Sequence, residues 1–274
     1  MNAPICWLGG KRRLRSKIIE RLPQHTCYVE VFGGAGWVLF GKEPVKVEVY
    51  NDIDGELVNF FRVIKSCHRA FVQAFDWILV SRTLFNDFIR TDPKDLDEIQ
   101  RAVRFYYLIK IAFGGKSVGQ SFGYAKTGKS NLNLETLYET IAAVHQRLRR
   151  VYIEEGTFER TIERYDGRDT VFFLDPPYFE TSGYRYGLEL ADYERLAAVL
   201  GGIEGKFLLT INDHEKMRLA FERYYIEEVE VSYSIARDVN SRREFGELIV
   251  TNYQPEVSTG NTVKSIVRGR QSVK

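Results

Sequence analysis

The 274-residue chain predicts an α/β fold. A mostly parallel sheet carries helices on both faces, is interrupted by a long helical insertion, and ends in an antiparallel hairpin. Three observations predict it. Six short apolar runs have strand composition, and the first four are mostly separated by stretches of helical period. Residues 56–150 hold no clear strand and place apolar residues such as Val103, Tyr106 and Tyr107 at helical spacing. The last two runs are joined by one polar loop.

In chain order, 27–32 (CYVEVF) and 45–50 (VKVEVY) are strands rich in β-branched and aromatic residues. The insertion 56–150 follows. Residues 170–174 (TVFFL) are continuously apolar, as a strand buried on both faces must be, and 206–211 (KFLLTI) repeat that pattern. Residues 226–232 (IEEVEVS) and 247–252 (ELIVTN) flank the loop SIARDVNSRREFG and form the hairpin. The sheet domain is therefore discontinuous, 1–55 with 151–254, and 255–274 form a basic tail.

Composition narrows the class. With 44% hydrophobic and 28% charged residues the chain is neither disordered nor fibrous. Three cysteines, an odd count without a CxxC pair, support neither a disulfide framework nor a zinc ribbon, and Cys6, Cys27 and Cys67 are expected to be buried bystanders. The four histidines are scattered, so no metal site is expected. No apolar run approaches the ~20 residues that a membrane span needs, and the N-terminus lacks a signal-peptide apolar core. A cytoplasmic protein with no membrane partner is expected.

The net charge of +2 conceals an asymmetry. Residues 101–150 hold nine basic and two acidic side chains, and the last fourteen residues hold four basic and none acidic. Clustered positive charge suits a polyanion, because each phosphate contact releases counterions. A solvated face with a basic tail is the alternative.

Three loops carry candidate chemistry. Glu30-Val31-Phe32-Gly33-Gly34-Ala35-Gly36 closes the first strand, where glycines let the backbone turn and approach a ligand. It is not a dinucleotide fingerprint, since Leu39 stands where the third glycine belongs. Gly115-Lys116-Ser117 ends like a phosphate loop, but Lys110 occupies the first glycine position. Asn51-Asp52-Ile53-Asp54 closes the second strand, at the place where open sheets hold ribose hydroxyls. Asp54 fits a helix N-cap, which leaves Asp52 freer for a ligand. Asp175-Pro176-Pro177-Tyr178 follows the buried run at 170–174 and is displayed at the carboxyl edge of the sheet. The Asp175 carboxylate and the Pro176 carbonyl are two acceptors suited to both hydrogens of an exocyclic amine, and Tyr178 offers a face for a base.

With Trp7-Leu8-Gly9-Gly10-Lys11 near the N-terminus, these motifs make the chain resemble the Dam-type (D12 class) DNA adenine-N6 methyltransferases over about residues 5–252, in the alpha motif order. The resemblance implies a Rossmann-like AdoMet-dependent methyltransferase sheet with a mostly helical inserted target-recognition domain at 56–150. It implies S-adenosyl-L-methionine as cofactor, double-stranded DNA as partner, base flipping, and action as a monomer. The catalytic residues would be Asp175, Pro176, Pro177 and Tyr178. The cofactor would be held by Trp7, Lys11, Glu30, Phe32, Gly34, Gly36, Asp52, Ile53, Phe158 and Asp175. DNA would be met by Lys110, Phe113, Lys116, Lys126, Lys129, Arg242 and Arg243, with Phe113 either a wedge in the base stack or a helix core residue. Two departures stand out: Val31 where the family often has Pro, and Thr157 where it often has Asp before the adenine-packing Phe158. Methylation of cytosine N4 or another amine, and a DNA-binding homologue without activity, are the competing readings.

Overall fold

Neighbouring residues along each central strand point to opposite faces, so the sheet separates two apolar cores. In the computed structural model, which describes residues 1–112, 119–123, 132–231 and 245–255, β1 (Cys27–Glu30) turns Tyr28 to one core and Val29 to the other. β2 (Val47–Asp52), β3 (Val151–Glu155), β4 (Thr170–Leu174) and β5 (Lys206–Asn212) are parallel to it. β6 (Tyr225–Val231) and β7 (Phe245–Thr251) pair antiparallel with each other, and β7 also pairs antiparallel with β5. The order across the sheet is β3-β2-β1-β4-β5-β7-β6.

The expected strands are all present, with ends displaced by a residue or two. β3 was not legible: VYIEE is an edge strand with only Val151 buried, and its charged exposed positions break the apolar run.

Helix α1 (Arg15–Arg21) precedes β1, and α2 (Trp37–Gly41) follows it. α3 (Gly55–Ala74) starts where the Asp54 carboxylate accepts the Glu56 N–H at 3.0 Å, an N-cap. α4 (Arg82–Arg90), α5 (Glu98–Ile111) and α6 (Leu137–Leu148) complete the helical segment. These helices share a core with the sheet. The Phe61 ring lies 4.7 Å from that of Tyr50 on β2, and Phe60 lies 5.7 Å from Phe105 on α5. Residue 56 therefore lies in the first turn of a helix packed on the sheet, one residue after its start at Gly55. On the other face, α7 (Phe158–Tyr165) and α8 (Leu190–Leu200) bury Ile162, Tyr193 and Leu196 against Val29, Phe172 and Leu209. α9 (Glu215–Ala220) links β5 to β6.

One expectation from composition is corrected, and the charge count of 101–150 is qualified by internal contacts. Cys6 and Cys67 are exposed and Cys27 is half-buried, because Cys6 lies outside any regular element and Cys67 sits at a non-helical kink of α3. Several basic side chains of 101–150 serve internal contacts: Arg101 pairs with Glu56, Arg104 donates to the Phe88 carbonyl, and Arg147 forks onto Glu48. Among the described residues no helix is long and apolar enough to cross a membrane.

Candidate active site

β2 and β4 lie on opposite sides of β1, so the strand order reverses at β1. In open α/β sheets a crevice opens at the carboxyl ends of the strands at such a point. The glycine turn leaves β1 there and Asp175-Pro176-Pro177-Tyr178 leaves β4, which brings motifs from distant parts of the chain face to face. Between them lies a cavity of about 370 Å³, within the usual range for small-molecule sites. Every cofactor-site residue expected from the sequence lines it, as do Pro176 and Pro177.

The turn is fixed from behind. Gly34 has φ +49°, and a Cβ there would meet Trp7 Cδ1 at 2.9 Å. Its N–H donates to Asp52 Oδ2 at 2.8 Å, while Asp52 Oδ1 accepts the Asp54 N–H at 2.9 Å. Asp52 is thus a brace between two loops as well as a group on the cavity wall, a role the sequence did not disclose. Burial pushes its carboxyl up to about 6, against the pull of those backbone donors. Glu30 Oε2 accepts from the Tyr28 hydroxyl and the Leu39 N–H, each at 2.8 Å, and so anchors α2. Burial raises Glu30 to about 8 despite both bonds. Phe32 and Phe158 pack with ring centroids 5.9 Å apart, and the Arg195 guanidinium lies 5.5 Å from the Phe158 ring. Ile53 sits half-exposed at the rim.

Lys11 links the motifs. Its ammonium is 3% exposed, lies 2.6 Å from Asp175 Oδ1, donates to the Gly9 carbonyl at 2.7 Å, and stands 3.5 Å from Glu247 Oε1. Burial alone would depress it, but Asp175 and Glu247 hold it above its ordinary value, so it stays charged. Asp175 Oδ1 also accepts the Thr210 hydroxyl at 2.9 Å, whereas Oδ2 has no hydrogen bond among the described residues. Burial raises the Asp175 carboxyl against Lys11 and Thr210. The Pro177 carbonyl accepts the Tyr193 hydroxyl, and no such bond reaches the Pro176 carbonyl among the described residues. Tyr178 stands outside the cavity wall, with Lys11 Nζ 4.7 Å from its ring centroid and its hydroxyl buried without a partner among the described residues.

Of the DNA-facing expectations, Lys110 alone lies within the described residues. It is half-buried on the last turn of α5, 5.2 Å from the Tyr106 ring, and burial lowers its ammonium. Phe113, Lys116, Lys126, Lys129, Arg242 and Arg243 lie outside the described residues. Sequence reading missed Thr210, Glu247, Tyr184 and Arg185. For the first two the available signal was a polar residue inside or opening a buried strand. Arg185 reaches Asp54 at 3.5 Å and lines the cavity with Tyr184. Among the described residues no group of three or more His, Cys, Asp or Glu is placed to hold a metal ion.

This strand order, with a glycine turn and acidic residue on one side and an Asp-Pro-Pro-Tyr tip on the other, defines an α/β methyltransferase acting on an amino group. The sequence pattern of the D12 class N6 adenine-specific DNA methyltransferases matches residues 7–235. The chain belongs to this family, and it is an enzyme that methylates adenine in DNA. It is similar to the Type II methyltransferase M1.LlaDCHI of Lactococcus lactis subsp. cremoris, at 27% identity over 90% of this chain and 94% of the relative. It is similar to the DNA adenine methylase of Escherichia coli (strain K12), at 25% identity over 92% of this chain and 95% of that protein. The Type II methyltransferase M.MjaIII of Methanocaldococcus jannaschii is 25% identical over 90% of this chain and 97% of its own.

Proposed function

We propose that the methyl donor is S-adenosyl-L-methionine and that the acceptor is an adenine swung out of double-stranded DNA and held by Asp175 and the Pro176 carbonyl. One observation carries this reading: the free acceptors of the Asp175-Pro176 tip open on the same cavity as the braced glycine turn. The donor set fits the cofactor. Carboxyl groups of Asp52, Asp54 and Asp175 line the space, as suits a cation, and Phe32 and Phe158 offer apolar faces for a purine. Asp52 keeps lone pairs for ribose hydroxyls. When bound, the cofactor supplies an electrophilic methyl group on a sulfonium.

The chain's own residues do the rest. An exocyclic amine is a poor nucleophile because its lone pair is delocalised into the ring. Two acceptors, Asp175 Oδ2 and the Pro176 carbonyl, draw both N–H bonds toward tetrahedral geometry and localise that pair. Alignment of the two reactants contributes several kcal/mol, and the Asp175 carboxylate stabilises positive charge developing on N6. Extrusion of the base costs a few kcal/mol. The helical segment 56–150 reads the target in this proposal, with Lys110, Lys116, Lys126 and Lys129 for phosphates and Phe113 for the base stack, and Arg242 and Arg243 of the chain between β6 and β7 add further phosphate contacts. The enzyme acts as a cytoplasmic monomer.

Incubation with labelled donor and unmethylated DNA, followed by digestion to nucleosides, is expected to place label in N6-methyladenine. Label in N4-methylcytosine, or none, overturns the assignment. Asp52→Ala is expected to weaken donor binding about 10–100-fold in calorimetry, the equivalent of losing hydrogen bonds to a charged acceptor. Unchanged affinity would remove Asp52 from the site.

A further inference from the structure

Glu247 is a buried carboxylate that the reaction as outlined above does not use. It lies on β7, opposite Asn212 of β5 and Val229 of β6, and beyond the stretch that the family pattern covers. Its exposure is 1%, and neither oxygen has a hydrogen bond among the described residues. An apolar side chain would fill such a position at less cost, since burying a charge without close partners is unfavourable. What Glu247 does have is Lys11, whose ammonium stands 3.5 Å from Oε1 and also meets Asp175 and the Gly9 carbonyl.

We propose that Glu247 is a positioning residue for methyl transfer, its carboxylate drawing the Lys11 charge back from Asp175 and keeping Asp175 a strong acceptor for the target amine. This rests on the role assigned to Asp175 above. Lys11 has three N–H donors and three oxygen neighbours, Asp175, Gly9 and Glu247. With Glu247 ionised the cluster carries one net negative charge, which suits the positive charge developing on N6. With Glu247 protonated the cluster is neutral, Lys11 acts on Asp175 alone, and Asp175 is the weaker acceptor.

The ionisation lies in reach of ordinary assay conditions. Burial pushes the Glu247 carboxyl up to about 7, with Lys11 opposing and Asp175 adding to the rise. Lys11 and Asp175 are the charged groups that act on it, and Tyr184 acts on Lys11 in turn. Asp52, near 6, and Glu30, near 8, also titrate in this range, and Glu247 is not among the main groups that act on either of them.

The test is the single-turnover rate of methyl transfer, with donor and DNA saturating, as a function of pH. The wild-type rate is expected to rise through neutrality. Glu247→Gln mimics the protonated form, so its rate is expected to lose that limb and to lie about tenfold below the wild-type plateau, the rate equivalent of one pK unit. DNA affinity should not change. A Gln variant with the wild-type rate and the wild-type limb overturns the proposal. If that variant does not fold, Glu247→Asp decides, because retracting the carboxylate lengthens the Lys11 contact and must displace the limb; an unmoved limb overturns the proposal equally. A dead Asp175→Ala beside a normal Glu247→Gln sinks this inference alone, whereas an active Asp175→Ala sinks the reading of the site beneath it.

Discussion

Asp175→Ala is expected to abolish methyl transfer while donor binding largely survives. The aspartate stands at the tip of β4 with one oxygen occupied by Lys11 and Thr210 and the other open among the described residues. Its removal takes away the charged acceptor for the amine and the counter-charge for the nitrogen in the transition state. Loss of one preorganised group that stabilises developing charge lowers a rate by about 10²–10³-fold, and more where the same group also positions the nucleophile. Donor binding rests mainly on other groups, the glycine turn, Asp52 and the Phe32–Phe158 pair, so loss of the Asp175 charge weakens it without abolishing it. Asp175→Asn should fail nearly as badly. Its amide group would have to face either the Lys11 ammonium or the incoming amine, both of them donors. Single-turnover rates with calorimetric donor affinities check the pair, and a near-normal rate in the alanine variant would mean that the amine is held elsewhere.

The parts of this site that a sequence discloses are those built from consecutive residues. A strand followed by Glu30 to Gly36, a strand followed by Asn51 to Asp54, and a strand followed by Asp175 to Tyr178 each carry their geometry locally. Strand, turn and side-chain display follow from composition and from where open sheets place ligands. Residues that act through the sheet are different. Thr210 and Glu247 reach Asp175 and Lys11 only because β5 lies beside β4 and β7 beside β5, and that adjacency belongs to tertiary pairing. The double role of Asp52 was hidden for the same reason, since its partner Gly34 comes from the neighbouring strand's loop. Charge counting pointed to a polyanion without showing which side chains face it: Arg147 lies against buried Glu48 beside Lys42, and Arg101 lies on Glu56. A guanidinium that forks onto an internal carboxylate adds little to the field that DNA meets.

Lys11→Met is expected to cost both activity and stability, and to make stability depend on pH more steeply than in the wild type. The ammonium stands between two carboxylates, 2.6 Å from one and 3.5 Å from the other, in a place nearly closed to water. Removing one member of a buried charge group is destabilising by about 3–5 kcal/mol, because it strands the others. Asp175 and Glu247, both already raised by burial, then lose the one influence from Lys11 that lowers them. A carboxyl whose folded pKa exceeds its unfolded value contributes stability that is complete below the unfolded value and is lost as pH rises through the folded one. In the wild type that loss is complete at Glu247 once pH passes about 7; in the Met variant both carboxyls are raised further, so the loss goes on above that pH and the melting temperature should fall further behind the wild type as pH increases. Wild-type Lys11 has the opposite sign of charge but the same rule: its raised pKa keeps its contribution intact until well above neutrality. Thermal melts below and above neutrality check the prediction, and a gap between variant and wild type that stays constant with pH would refute the charge argument. The double variant Lys11→Met with Glu247→Gln separates the two losses. Neutralising the stranded partner should restore much of the stability and flatten its pH dependence, as expected for contacting residues that do not add independently. It should restore none of the activity, because Asp175 would still lack the ammonium that keeps it ionised and in place.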